Sequence, residues 1–166
     1  MSQPSDGMPR PVELTVSHNI EIAHRLFTLP GKCQNIHGHS MWVTLHINAE
    51  TSNEEGYALD HRGELLEFGG IKKLFRGYLD SLWDHHLHLN ENDPWAKRLL
   101  LMDRNVEGQY TDASEGAHLP GLITWPNDPS TENIARYIKE FVSETIVPDM
   151  SIWIEIQETR TNGVGL

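Results

Sequence analysis

Alternating apolar and polar residues dominate both ends of the chain, and helical spacing dominates its middle. Val12, Leu14, Val16, His18, Ile20, Ile22 and His24 lie two apart with mostly polar residues between them. That period predicts a strand over 12–24 with one buried face. His37, His39, Met41, Val43, Leu45, Ile47 and Ala49 repeat the pattern against Ser40, Trp42, Thr44, His46 and Asn48, which predicts a second strand from about His39 to Ala49. Pro30-Gly31 between them is a loop signal, and a turn there lets His24 and His37 face each other across an antiparallel pair. The polar stretch 51–56 reads as a turn or loop. Phe68, Ile71, Leu74, Phe75, Tyr78, Leu79 and Leu82 follow helical spacing, so an amphipathic helix is predicted over 69–83. Asn92-Asp93-Pro94 starts a short helix running to about Asp103. The cluster Asp128-Pro129-Ser130-Thr131-Glu132-Asn133 starts another, with the stripe Ile134, Ile138, Phe141, Val142 and Ile146 and a stop at Pro148. The last strand runs from Ser151 to about Glu158, with Ile152, Ile154, Ile156 and Glu158 on one face. This order of elements predicts an α+β domain, an antiparallel sheet with helices packed on one face.

Size and composition narrow the class. The 166 residues suit one domain with a real core. Residues 1–11 read as a flexible leader, 12–166 as a single domain, and 104–121 as a long surface insertion. No apolar run reaches membrane-spanning length, and no signal-peptide pattern opens the chain. The single cysteine excludes an internal disulfide and fits a reducing compartment, so a cytoplasmic location is expected. A net charge of −11 argues against nucleic acid as a partner and requires a local basic patch for any anionic substrate.

The ten histidines are more informative. His37 and His39 leave one face of their strand, and His24 reaches the same side from the neighbouring strand. Three imidazoles with a fourth position open to water or substrate is the usual arrangement of catalytic Zn²⁺. Cys33 is either a fourth ligand closing a structural site or a free thiol beside an open one, where a nearby cation lowers its pKa. Asp84-His85 places a carboxylate beside an imidazole, the general-base arrangement, although a solvated helix end explains it equally. Glu158 on a core face either anchors a nitrogen-rich ring through its two oxygens or pairs with a cation such as Arg160.

Taken in order, several stretches resemble one family, the 6-pyruvoyl-tetrahydropterin and 6-carboxy-tetrahydropterin synthases. They are Ile22-Ala23-His24-Arg25-Leu26, Cys33-x-x-x-His37-Gly38-His39, Gly69 to Phe75, Asp84-His85 before Leu89-Asn90, Ser130-Thr131-Glu132-Asn133, and Glu158-Thr159. The short gap between Cys33 and His37 resembles the 6-carboxy branch, which acts in queuosine and 7-deazapurine biosynthesis. The resemblance implies a tunnelling fold, ββααββ, with a four-stranded antiparallel sheet. It also implies an oligomeric barrel, a homohexamer built as a dimer of trimers, with active sites at subunit interfaces. It implies a zinc-dependent lyase with His24, His37 and His39 as metal ligands, Cys33, Asp84 and His85 as catalytic residues, and Glu158 and Thr131 as substrate-binding residues. His86 and His88 are alternatives to His85, and Arg25 and Lys32 are candidates for the triphosphate. The implied reaction converts 7,8-dihydroneopterin triphosphate to 6-carboxy-5,6,7,8-tetrahydropterin, acetaldehyde and triphosphate. The alternatives are the 6-pyruvoyl reaction on the same substrate and a non-catalytic zinc- or pterin-binding module. The chain departs from the family in carrying Glu67-Phe68 where Asp-Phe is usual, and in the 104–121 insertion.

Overall fold

The computed structural model describes residues 10–52, 57–103 and 121–166, with the side chains of 101–103 set aside. Nearly all of the expected leader and of the 104–121 insertion therefore lies outside the described residues. Strand β1, Pro11–His24, pairs antiparallel with β2, His37–Thr51, over its whole length. The register sets His24 opposite His37 and Ile22 opposite His39, as the Pro30-Gly31 turn predicted. The connection turns at Gly31, whose φ of 110° suits only glycine, and passes through one 3-10 turn, Lys32–Gln34.

The short β3, Ala58–Leu59, pairs with the end of β2. Helix α1, Phe68–Leu82, follows, capped by the Glu67 carboxylate accepting from the Gly70 amide at 2.7 Å. Then come β4, Leu87–Asn90; α2, Pro94–Asp103; β5, Leu122–Trp125; and α3, Thr131–Phe141. Ser130 caps α3 through the Asn133 amide, and a π-turn, Val142–Ile146, ends it. Strands β6, Ser151–Gln157, and β7, Gly163–Gly165, complete the chain.

The sheet order is β5-β4-β1-β2-β6-β7, with β3 also on β2. The expected antiparallel quartet is present as β1, β2, β6 and β7. The sheet as a whole is mixed, because β4 and β5 extend it beyond β1 as parallel strands. Four-residue strands carry too little alternation to be seen in sequence, and their pairing comes from tertiary packing.

Ile20, Ile22, Met41, Val43, Leu45, Ile47, Ile154 and Ile156 form the sheet's buried face. Ile71, Phe75 and Leu79 of α1 and Ile134, Ala135 and Ile138 of α3 close over it. Helix α2 covers a separate small cluster at β4 and β5, formed by Leu89, Ala96 and Leu122. The histidines at the β1–β2 turn therefore sit at one end of a face that is otherwise apolar except for His18, which pairs with Asp80 of α1. Among the described residues no helix is long and apolar enough to cross a membrane.

Candidate metal centre

Strand alternation and register bring three imidazoles together. His24 ends β1, His37 stands opposite it on β2, and His39 lies two residues on along the same face. Ring centroids are 4.6 Å apart for His24–His37, 5.2 Å for His24–His39 and 5.0 Å for His37–His39. Gly38 between the two β2 ligands faces the other way. A Cβ there would lie 2.8 Å from the Ile22 carbonyl oxygen, so the strands could not close around a larger residue.

One potential ligand atom from each histidine lies within 4.8 Å of the others. Tetrahedral zinc with bonds of about 2.0–2.1 Å draws such nitrogens to about 3.4 Å, a modest contraction. Tautomers favour this use. His24 Nδ1 donates to the Pro129 carbonyl at 2.7 Å, because a carbonyl only accepts, and the lone pair is thereby placed on Nε2. That Nε2 is buried and has no hydrogen-bond partner. His37 Nδ1 likewise donates to the Asn35 carbonyl at 2.8 Å. Burial holds the His24 pKa below the ordinary histidine value, and His37 and His39 push it the same way, against the Pro129 bond and the Glu158 charge. His24 is thus neutral at pH 7 with an orphaned acceptor facing two other imidazoles, which fits a divalent metal such as zinc.

Two further predicted residues join this group. Glu158, just past β6, puts Oε1 3.7 Å from His39 Nε2, and the same oxygen accepts from Thr131 Oγ1 at 2.7 Å. Among the described residues no lysine or arginine pairs with Glu158, so the alternative of a partnership with Arg160 is not realised. Thr131 is the first residue of α3, so the helix start aims at the metal side of the sheet.

The remaining predicted residues stand apart. Cys33 is exposed on the 3-10 turn and does not belong to the three-histidine group. Asp84 and His85 form a close pair, with His85 Nδ1 donating to Asp84 Oδ2 at 2.7 Å. Asp84 Oδ1 accepts from the Glu21 amide at 2.7 Å, and His85 N donates to the Glu21 carbonyl at 2.7 Å. Burial works against Asp84's ionisation, but the Glu21 and His85 hydrogen bonds outweigh it and hold its pKa below the usual value. His85 has a φ of 58°, a left-handed conformation that a non-glycine residue adopts at a cost of about 1–3 kcal/mol. Its side chain is 78% exposed, and no hydrogen bond or ring contact among the described residues ties it to the three histidines.

The other histidines of this cluster are occupied otherwise. His86 Nδ1 donates to the Asp84 carbonyl at 2.6 Å. His88 is fully buried, stacked on Trp83 at 4.7 Å, with Nε2 donating to the Trp83 carbonyl and Nδ1 accepting from Trp125 Nε1 at 3.0 Å. Both its nitrogens are used within the core. Arg25 pairs with buried Asp93 at 3.1 Å and lies over Trp95, which leaves exposed Lys32 as the available cation of the two proposed for triphosphate. A cavity of about 820 Å³ lies at the opposite end of the β1–β2 ribbon beside Pro11, Thr51, Leu59 and Asp149, and includes no residue of the histidine group. Sequence reasoning missed the Pro129 and Asn35 carbonyls, since a backbone acceptor leaves no mark on residue identity.

Comparison with known proteins bears on the chain as a whole. The family described as 6-pyruvoyl tetrahydropterin synthase matches residues 13–165. A 6-carboxy-5,6,7,8-tetrahydropterin synthase of Rickettsia bellii is 30% identical over 128 residues, covering 77% of this chain and 78% of the relative. The Rickettsia typhi protein of the same name is 25% identical over 143 residues, covering 86% and 88%. Among solved structures, an uncharacterized protein of Wolinella succinogenes superposes with a TM-score of 0.71 at 18% identity, covering 95% of this chain and 98% of that one. The Plasmodium falciparum 6-pyruvoyl tetrahydropterin synthase gives 0.61 at 20% identity, covering 94% and 96%. At those identities the two structures speak for the fold alone.

Proposed function

The chain belongs to the 6-pyruvoyl tetrahydropterin synthase family, and from that premise we propose that it is a 6-carboxy-5,6,7,8-tetrahydropterin synthase. It converts 7,8-dihydroneopterin triphosphate and water to 6-carboxy-5,6,7,8-tetrahydropterin, acetaldehyde and triphosphate, a step toward queuosine and other 7-deazapurines. The observation that carries the reading is the group of His24, His37 and His39 with Glu158 beside it. Metal ligands and a carboxylate suited to a pterin ring meet at one strand end, and the Rickettsia relatives carry the 6-carboxy name.

When bound, zinc supplies Lewis-acid polarisation of the substrate's side-chain oxygens, which acidifies the adjacent C–H and O–H groups. His24 and His37 enter ligation already in the required tautomer, because their Nδ1 protons are held by backbone carbonyls. Glu158 accepts paired hydrogen bonds from the pterin's N–H groups, steadied by Thr131, so that the side chain meets the metal. Cys33, exposed on its turn, takes the first proton as thiolate. His85 handles the second at Nε2, since Asp84 holds its Nδ1 proton and stabilises the imidazolium form. An exposed His85 suits a site completed between chains, as expected of a homohexamer with interfacial active sites. Lys32 contributes to the triphosphate subsite, and the enzyme works in the cytoplasm.

The test is purified protein with 7,8-dihydroneopterin triphosphate and products read by mass. Acetaldehyde with 6-carboxytetrahydropterin is the expected result. A 6-pyruvoyl product without acetaldehyde assigns the sister reaction, and no turnover with zinc bound assigns a binding module.

A further inference from the structure

Asp128 is a buried carboxylate, 8% exposed, with no cation paired to it among the described residues. It is surrounded by donors instead. Oδ2 accepts from the Thr28 amide at 2.9 Å and from the Thr28 hydroxyl. Oδ1 accepts from Asn90 Nδ2 at 3.1 Å. Its own carbonyl accepts from the Ser130 amide and from Asn133 Nδ2, each at 2.8 Å. A carboxylate buried without a counter-charge is costly, and this number of hydrogen bonds offsets the cost only if the geometry is kept.

These bonds tie together three segments at the strand ends around the histidine group. Thr28 lies four residues beyond His24 on the chain leaving β1. Asn90 ends β4, whose His88 is in register with His24 on β1. Asp128 itself immediately precedes Pro129, whose carbonyl takes the His24 Nδ1 proton at 2.7 Å. Pro129 has a fixed φ, so the direction of its carbonyl follows closely from where Asp128 and the Ser130 cap are held. The side chain thus clamps both ends of the His24–Pro129 hydrogen bond, one through Thr28 and one through the backbone.

We propose that Asp128 is a positioning residue of the metal centre, fixing the Pro129 carbonyl so that His24 is locked with its proton on Nδ1 and its Nε2 lone pair turned toward the metal. The inference rests on reading His24, His37 and His39 as a zinc site. Outer groups that orient a ligating imidazole typically change metal affinity 10- to 100-fold when lost. Asp128→Asn is the sharpest perturbation, because the new NH₂ must face either the Thr28 backbone N–H or Asn90 Nδ2, both of which can only donate.

The experiment uses the full chain. Zinc affinity is measured by chelator competition, and the His24 tautomer is read from imidazole nitrogen chemical shifts in metal-free protein. Asp128→Asn should weaken zinc about 10- to 100-fold and turn the single His24 tautomer into a mixture. Thr28→Val should move both readouts the same way by less, while Thr28→Ser restores them. Ile138→Val, a core change of comparable stability cost elsewhere, should leave both at wild-type values. If Asp128→Asn does not fold, Thr28→Val carries the test. Wild-type zinc affinity together with a single unchanged His24 tautomer in the folded variant overturns the proposal. Failure of the zinc reading itself shows differently, as equal zinc affinity in wild type and His37→Ala. The tautomer measured without metal then still decides the role of Asp128.

Discussion

Lowering the pH from 7 to 4 should destabilise this protein through His88. The ring is fully buried between aromatic neighbours, and burial lowers its pKa from 6.5 to about 4. The unfolded chain therefore takes up a proton between those values while the folded chain does not. Because the folded-state pKa is depressed, the stabilisation is complete above 6.5, falls as pH drops, and is exhausted once pH passes below the folded value. At about 1.4 kcal/mol per pH unit of separation, the whole effect is about 3 kcal/mol, of which about 2 kcal/mol is gone by pH 5. The neutral ring is also the form that its partners demand, since Nδ1 must accept from Trp125 while Nε2 donates to Trp83. The assay is denaturant unfolding of wild type and His88→Gln from pH 7 to 4. A chelator and a fixed protein concentration keep metal loss and assembly from contributing. His24, whose pKa is also lowered, titrates in both proteins and cancels in the comparison. The stability gap between the two proteins should change by about 3 kcal/mol across the range in favour of the variant at low pH. Parallel curves would show that His88 protonates freely in the fold and that the packing argument is wrong.

Other expectations concern the site. The purified protein should carry about one zinc per chain, and His37→Ala or His39→Ala should lose most of it by metal analysis; full retention would break the three-histidine assignment. Cys33→Ala should leave zinc content and melting temperature near wild type, because the thiol is exposed and outside the ligand group. Turnover should nonetheless drop by about two to four orders of magnitude, the usual scale for a positioned acid or base, whereas joint loss of metal and stability would make Cys33 a structural ligand. Light scattering should report a hexamer, and a fully active monomer would exclude a shared site.

Much of the metal side was legible in the sequence because one rule, the two-residue period, links position to face. With His24 and His37 on paired strands, their approach follows from the turn between them, and the register sets the two opposite one another. Other features do not obey that rule. Strands β4, β5 and β7 are three or four residues long and exist because neighbouring strands offer them an edge. His46 falls on the polar face by alternation, yet it is buried, stacked on Trp153 at 3.5 Å and flanked by Glu13 and Glu155. Alternation predicts which side a residue leaves on, and says nothing of whether other side chains on that side cover it. Asp128 looked like a helix-start residue only, because its bonds to Thr28 and Asn90 join positions 100 and 38 residues away.

The two halves of the proposed chemistry rest on different kinds of structure. The three histidines stand on the longest strand pair of the sheet, where slipping the register by one residue would turn every ligand to the other face. The proposed proton-transfer groups stand on turns: Cys33 on a three-residue 3-10 turn, and His85 in a left-handed conformation bonded to Asp84 and the Glu21 backbone. A metal site gains from ligands already set on one face before the ion arrives, and a paired strand end provides that. A proton donor or acceptor needs reach toward a bulky bicyclic substrate, which exposed turns allow. If the hexamer forms as proposed, a neighbouring chain packs against these exposed turns. His85 is then the residue to watch: among the described residues only Asp84 bonds its ring, and assembly should bury that ring. Loss of solvent exposure at His85 on going from dilute monomer to assembled protein, read by imidazole exchange or chemical modification, would tie the strain to the shared site, while unchanged exposure would leave the turn as an ordinary surface feature.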